Sequence, residues 1–382
     1  INTGSYGGQA MLMSISNGIS FHTIGGSVTA GNTFSSERVR IDNSGNVGIN
    51  DTTPSYTLDV NGFINTDGTT GGYKLAGNTV LYASTTNASL AVGASGAAAW
   101  MSASSSLTYN TAVGNGALNA TPVNGNVFYN TAIGALTLTS NTTGQQNTAV
   151  GTRALSLNTT GDFNTALGTT ALVSNTTGFS NTASGLNVLY LNTTGYYNTA
   201  IGRSTMQSNT TGFYNTAMGG LALYHNSSPT TTVAIGFSAS RGADTPYSNQ
   251  GGTTVGVYSG YSFQTGSDYN TLFGLNSGYG ITTGARNVLL GHSTIAASYN
   301  QVTTGSNNIA IGNDVAVPSA TASNQLTIGN LIYGTGLSGT GATVSTGNIG
   351  IGTTTPSATD GFGATNRLTV AGGIDGGGSG GS

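Results

Sequence analysis

Three histidines (His22, His225 and His292) and eleven acidic residues are what this 382-residue chain offers for ordinary acid–base chemistry. Catalysis needs such groups to converge with a nucleophile, an electrophile or a metal. Here the histidines stand far apart, and the acids are scattered singly, mostly in turn-like contexts. Asp162, Asp268 and Asp314 recur beside the start of a repeat and read as solvated turn carboxylates. A glycosidase needs two carboxylates flanking one bond; separate chains of an oligomer can supply them, but nothing singles out such a pair. With cysteine absent, thiolate metal sites and disulfides are excluded. The expectation is a protein that is not an enzyme, with no cofactor and no metal.

Aromatic residues are the better lead. Tyr109, Tyr129, Phe163, Tyr197, Tyr214 and Tyr269 each stand immediately before an asparagine that opens a repeat, and Phe128, Tyr196 and Phe213 thicken the same edge. Rings at a fixed station suit two purposes. They can stack on one another as a clamp, or present an apolar face with a polar handle to a sugar or a surface. Both readings stay open at this point.

What positions those rings is a repeat of 17 residues. Asn-Thr-Ala-φ-Gly, with φ aliphatic, begins at Asn147, Asn164, Asn181, Asn198 and Asn215, with looser copies on both sides. A fixed period of this size marks a solenoid. Alignment on the glycine gives 14 coils from Gly93 to Gly329, including Gly114, Gly134, Gly151, Gly168, Gly185, Gly202 and Gly219. The preceding φ residue is Val113, Ile133, Val150, Leu167, Ile201, Met218 or Ile235, and only Ser184 breaks that ladder. A second ladder, of Leu118, Leu138, Leu155, Leu172, Leu189, Met206 and Leu223, falls four residues after the glycine. Seventeen residues are too few for a pair of helices but suffice for short strands and turns. Asn-Thr-Thr-Gly, from Asn141, Asn158, Asn175, Asn192 and Asn209, is read as one turn, with the asparagine bonding its own backbone and the glycine at positive φ. Although Asn-Thr-Thr also fits an N-glycosylation acceptor, a turn that every coil needs is the simpler reading. At about 4.8 Å per coil the stack is a rod of roughly 60 Å.

Composition narrows the partners. Charged residues are 5% of the chain, with Lys74 the single lysine and Glu37 the single glutamate, and the net charge is −3. That leaves no basic footprint for nucleic acid, and Arg38 with Arg40 reads as the polar face of a strand. No apolar run approaches the roughly 20 residues of a membrane span, so no membrane insertion is expected in this segment. The chain opens at Ile1, which reads as a processed or truncated piece, and Gly376–Ser382 reads as a flexible tail.

Within Thr-Ala-φ-Gly, alternation places Ala and Gly on one face and Thr with φ on the other. The first face suits a narrow interior. The second carries an aliphatic residue in nearly every coil, and exposure of so long a stripe is best relieved by association along the axis. A homotrimer is expected.

The Asn-Thr-Ala-φ-Gly-x-x-Ala-Leu repeats, over residues 89–330, resemble the head repeats of trimeric autotransporter adhesins. The resemblance implies a left-handed parallel β-roll in a bundle of three chains. A second motif brackets the repeats: Gly45-Asn-Val-Gly-Ile-Asn-Asp-Thr-Thr-Pro-Ser55 with Leu58-Asp-Val-Asn-Gly62, and Gly347-Asn-Ile-Gly-Ile-Gly-Thr-Thr-Thr-Pro-Ser357 with Leu368-Thr-Val-Ala-Gly372. Together with Arg38-Val-Arg-Ile-Asp42 it resembles segments of phage tail-fibre and tail-spike proteins. The expected layout is an N-terminal tail-fibre-like β module at 1–83, a β-roll at 84–330, a C-terminal tail-fibre-like module at 331–375 and the tail at 376–382. Wider coil spacing at 93–134, 236–274 and 291–312 predicts outward loops, including Thr121–Val127 and Arg241–Gln250. Asn17-Gly18 predicts a hairpin turn. The expected function is attachment, by an extracellular trimeric fibre on a virion or a bacterial cell, to a glycan or protein receptor. A purely structural filament and a polysaccharide-degrading tail spike are the alternatives.

Overall fold

The computed structural model describes residues 9–13, 18–23, 36–61, 73–75, 78–84, 88–93, 109–120, 127–243, 245–293, 302–337, 339, 345, 347–356 and 368–371. The Gly376–Ser382 tail, Asn17 and the expected loops at 94–108, 121–126 and 294–301 lie outside them. The described residues are all-β, in two compact units at 1–71 and 72–382.

The first unit is a five-stranded sheet in chain order, β1 (Gln9–Met13), β2 (Ile19–Thr23), β3 (Ser36–Ile41), β4 (Val47–Ile49) and β5 (Leu58–Val60). Gly18 sits at φ +87° just before β2. Arg40 donates from Nη2 to Glu37 Oε2 at 2.7 Å, which keeps the charged face of β3 paired. The backbone N–H of Asn46, with that of Ser44, holds the Asp42 carboxyl below its ordinary range. The last pair is parallel, with Val47 opposite Leu58 and Ile49 opposite Val60.

The second unit is a parallel β-solenoid of about 14 turns. It begins with β6 (Tyr73–Leu75), β7 (Asn78–Ser84) and β8 (Ser89–Val92), continues through thirteen three-residue strands, β9 (Thr111–Val113) to β21 (Leu326–Ile328), and ends in β22 (Ile332–Thr335), β23 (Asn348–Ile351) and β24 (Leu368–Val370). From β8 to β21 every neighbour is parallel and in register, Thr on Thr, Ala on Ala and φ on φ in the regular coils. Antiparallel partners stand at both ends, β7 on β8 and β22 on β21. The outermost strands β6 and β24 share no pairing among the described residues, so the sheet is an open ladder rather than a barrel. The Val47–Leu58 pairing of the first unit has its counterpart here, with Ile349 opposite Leu368 and Ile351 opposite Val370.

One coil shows how the sequence closes on itself. In Asn147–Phe163, Thr148–Val150 form the strand, and Ala149, Ala154 and Leu155 are fully buried. Gly151 follows at φ +127°, a conformation open only to glycine. A Cβ there would stand 2.6 Å from the backbone of Gly168 in the next coil. Twelve coil glycines, Gly114 to Gly312, share this conformation, with φ between 123° and 139°.

Each regular coil also holds three non-glycine residues in the left-handed region, here Arg153, Leu155 and Phe163 at φ 60°, 50° and 59°. Such a conformation costs an L-residue about 1–2 kcal/mol. The flipped amides turn along the rod axis, where the cost is offset: Arg153 donates to Ala135 O, Leu155 to Ala171 O and Phe163 to Gln145 O. The buried leucine ladder therefore follows from backbone geometry as well as from packing, since every member from Leu118 to Leu223 sits at φ 47–52° and is fully buried.

Two expectations are corrected. The glycine of Asn-Thr-Thr-Gly is not at positive φ. It is small because a Cβ on Gly144 would run into Asn141 Oδ1 in its own turn and, in the next coil, stand 2.5 Å from Gly161 O and 2.8 Å from Asn158 Nδ2. Nor does Arg241–Gln250 bulge outward as a whole. Tyr247 turns into the interior at 3% exposure, bridges to Asn226 in the preceding coil and donates to Ser240 O. Burial pushes the Tyr247 phenol well above its ordinary range. The apolar interior around Phe263 takes up the inserted residues.

Candidate binding surface

Two asparagine ladders set the stations of the coil and hold its turns. In the first, Asn147 N and Nδ2 both donate to Asn130 Oδ1, at 3.0 and 3.1 Å, while Nδ2 also donates to Gly161 O at 2.9 Å. The pattern runs without a gap from Asn110 to Asn215, and all its members are buried. In the second, Asn158 Nδ2 donates to Asn141 Oδ1 at 2.9 Å and to Gly161 O at 3.0 Å, continuing to Asn209. Buried amides are costly unless satisfied. Here each is satisfied by the coil above or below, which locks the residues before Asn147 and its equivalents into vertical columns.

The pre-asparagine aromatics occupy one such column, each about half exposed and each at φ 52–61°. They do not form one unbroken strip. Tyr109 stacks on Tyr129 with centroids 4.9 Å apart and planes 4° from parallel, and Tyr197 stacks on Tyr214 at 5.2 Å and 5°. Phe163 stands between Gln146 and Ser180 in this column, without a ring above or below. Tyr269 has the Arg286 guanidinium 5.5 Å from its ring centroid. Alongside runs a second column one residue earlier, in which Phe179, Tyr196 and Phe213 stack at 4.9 Å. Tyr214 meets Tyr196 and Phe213 edge-on at 5.7 and 5.5 Å. Because ring faces are covered by the neighbouring coil, the stacks show solvent mainly ring edges and phenol hydroxyls.

Asp162 and Asp268 belong to this edge too. Each accepts the backbone N–H of the residue one coil earlier, Gln145 at 2.7 Å and Gln250 at 3.0 Å. Their carboxylates extend the hydrogen-bond ladder. Among the described residues no group of three or more His, Asp or Glu gathers as a metal site, and no helix is long and apolar enough to cross a membrane. The pocket between Leu289, His292, Val302 and Val315 is lined mainly by apolar side chains and glycine.

The opposite feature of the coil is the outward face of the strands. Ile133, Leu167, Ile201, Met218 and Ile235 lie there at 37–41% exposure, one per coil, with Val113 and Val150 half-buried in the same column. Ser184 interrupts the column in register, opposite Leu167 and Ile201.

A third aromatic column escaped the sequence reading. Tyr224, Arg241, Tyr261 and Tyr279 occupy the station five residues after the coil glycines Gly219, Gly236, Gly256 and Gly274. Arg241 lies over Tyr224 at 5.8 Å and Tyr261 at 5.1 Å, and Tyr261 stacks on Tyr279 at 4.8 Å. The signal was present in that spacing, but a mixed Tyr/Arg column does not announce itself as a repeated residue type.

No protein-family model, curated protein or solved structure matches the chain.

Proposed function

We propose that this chain is a segment of a homotrimeric, non-enzymatic extracellular fibre that attaches a virion or a bacterial cell to a glycan or protein on another surface. The observation that carries the reading is the aliphatic column on the outward strand face. One large apolar side chain per coil, at more than a third exposure from Ile133 to Ile328 with few interruptions, makes a stripe far longer than scattered surface hydrophobics. Association of copies along the rod axis buries it, and three is the stoichiometry of the fibres that the repeats and the flanking motifs resemble. The aromatic columns then run up the sides of the rod as contact groups, on a surface almost devoid of charge.

Light scattering should give three times the chain mass. The double substitution Ile201→Asp, Ile235→Asp should dissociate the rod, because each carboxylate would be buried without a partner and three would crowd one level. A monomeric wild-type chain would overturn the assembly. With the trimer established, Tyr197→Ser with Tyr214→Ser should weaken surface attachment and leave the trimer folded. Unchanged attachment with a markedly lower melting temperature would favour the structural filament instead, a reading that the mutual stacking of Tyr197 and Tyr214 supports.

A further inference from the structure

We propose that the copies grip one another at two clasps, where the outward sheet face is two aliphatic columns wide: strands β19 to β24 of the solenoid, and strands β3 to β5 of the first unit. The partner at each clasp is the same face of another copy of this chain. The inference rests on the trimer reading and adds to it where the copies are held and where they are only aligned.

In the regular coils the outward face is only half apolar. Beside the φ column stands a threonine in every strand from β9 to β18 except β16, where Val233 takes its place. Those hydroxyls keep water along the column. From β19 onward the threonine station changes to Val288, Ile309 and Leu326, then Gly334, Ile349 and Leu368, each opposite the next. The φ column continues beside it from Leu290 to Val370, unbroken by the change to antiparallel pairing at β22. Ile309, Ile311, Ile328, Ile349 and Leu368 are 37–52% exposed. The first unit has the same arrangement by itself. Val39 and Ile41 stand opposite Ile49 and Val47, and these opposite Val60 and Leu58.

A sheet with an apolar face must bury it against something. At β23 and β4 the opposite face is already taken by the chain that follows. A Cβ on Gly350 would stand 2.6 Å from Thr353 O, and one on Gly48 would run into Asp51 O, so the segment leaving each strand crosses behind it and not over the aliphatic columns. A second copy suits those columns on two counts. No strand from β8 to β24 contains a charged residue, so identical faces meet without repulsion. Those 17 strands, about 4.8 Å apart and about 10 Å long, give roughly 800 Å² per copy, which is what a stable contact takes from each partner. Within that area the clasps contribute most, because a contact residue counts where its neighbours also exclude water. An aliphatic residue beside another is shielded in this way, and one beside a threonine is not.

The test mixes purified full chain labelled with heavy nitrogen and unlabelled full chain, and follows subunit exchange by native mass spectrometry. The variant Ile309→Thr, Leu326→Thr, Ile349→Thr gives the last strands the threonine that the regular coils carry. It should exchange at least about tenfold faster than wild type, since apolar contact is lost where water was excluded. The variant Ile133→Thr, Leu167→Thr, Ile201→Thr removes as many similarly exposed side chains from the regular coils and should stay within about threefold of wild type. Ile49→Thr with Leu58→Thr, in a separate sheet, should also exchange about tenfold faster, which covers the case in which the first variant fails to fold. Clasp variants that exchange at the wild-type rate, or a coil variant that exchanges as fast as they do, would overturn the clasps and leave the trimer standing. A wild-type chain that is monomeric in the same spectra would overturn both.

Discussion

The coils before and after residue 240 have the same backbone and differently filled interiors. Upstream, the typical cross-section holds two alanines, a leucine and an amide, as in Ala166, Ala171, Leu172 and Asn175, with Thr137, Val188 or Thr205 replacing the second alanine in three coils and Met206 replacing the leucine in one. Downstream the large residue has moved. The leucine station becomes glycine at Gly260 and Gly278, the first alanine becomes Leu272 and Leu289, and the second amide column is succeeded by Phe263, Ile281 and Val302. The exchange is volumetric: a Cβ on Gly260 would stand 2.8 Å from the Phe263 ring, and one on Gly278 2.7 Å from Leu272 Cδ1. What the solenoid requires is a filled section at native density, not a particular side chain at each station. The first asparagine ladder behaves differently. It lapses at Thr232 and Gly252, then resumes at Asn270, Asn287 and Asn308, with backbone N–H donating to Oδ1 and Nδ2 donating to a carbonyl as before, because these bonds use backbone groups that every coil repeats. The change of filling has its cost at the junction, where Asn226 Oδ1 and Asn249 Nδ2 are buried without a hydrogen-bond partner.

If backbone stations are strict and filling is negotiable, the largest effect should come from a coil glycine. Gly168→Val places a β-branched side chain at φ +138°, with its Cβ against the Gly185 carbonyl. Strain and overlap together should cost upwards of about 4 kcal/mol, enough to unfold the local coils. Denaturant melts and secretion yield would report it. The same substitution at Gly256 should cost as much, because that backbone is the same at φ +139° and only the filling differs. A mild effect at either glycine would break the comparison.

Next in size is a ladder asparagine. Asn164→Ala leaves Asn181 N–H and Gly178 O without the bonds seen at 3.1 and 2.9 Å, and deprives Asn181 Nδ2 of one of its two acceptors. At about 1–3 kcal/mol per stranded buried group, a loss near 3 kcal/mol is expected. Thr232→Ala, at the same station where the ladder has already lapsed, should cost about 1 kcal/mol or less, since Thr232 Oγ1 donates only to nearby Thr230 O. Equal losses at the two sites in a chemical melt would mean that the ladder contributes no more than ordinary side-chain packing.

The period and the alternation in Thr-Ala-φ made much of this legible in the sequence. They located the strands, the inward alanines and the leucine ladder, because register and repetition are linear features. The left-handed residues were not legible. Leu172 or Tyr197 at positive φ contradicts local preference, and only hydrogen bonds to the neighbouring coil make it acceptable. The role of Gly144 was misread in part for the same reason: besides Asn141 Oδ1 in its own turn, it is constrained by a carbonyl 17 residues away. The inward Tyr247 depends on space left by Gly242, whose Cβ would run into its ring. At the aromatic edge the pre-asparagine positions were visible as a pattern, whereas the Arg241 column mixes residue types across four coils of uneven length.

The smallest effect is expected where a coil glycine is no longer held. Gly329 closes β21, the last strand of the coils, but at φ +57° rather than near +130°, and a Cβ there would meet nothing within 4 Å. That conformation is the one the coils already assign to asparagine, as at Asn187 and Asn330, with φ 56° and 54°. Asparagine tolerates the left-handed region better than other non-glycine residues. Gly329→Asn should therefore change stability by less than about 1 kcal/mol, and the gain in unfolded-state rigidity over glycine works in its favour. Gly312→Asn, one coil earlier at φ +129° with Val315 Cγ2 only 2.7 Å from its Cβ position, should cost several times more. Paired melts of these two variants sharpen the comparison to neighbouring coils. If both are tolerated alike, the glycine column is dispensable toward the end of the ladder, and coil closure there must be enforced by the antiparallel strand β22 instead.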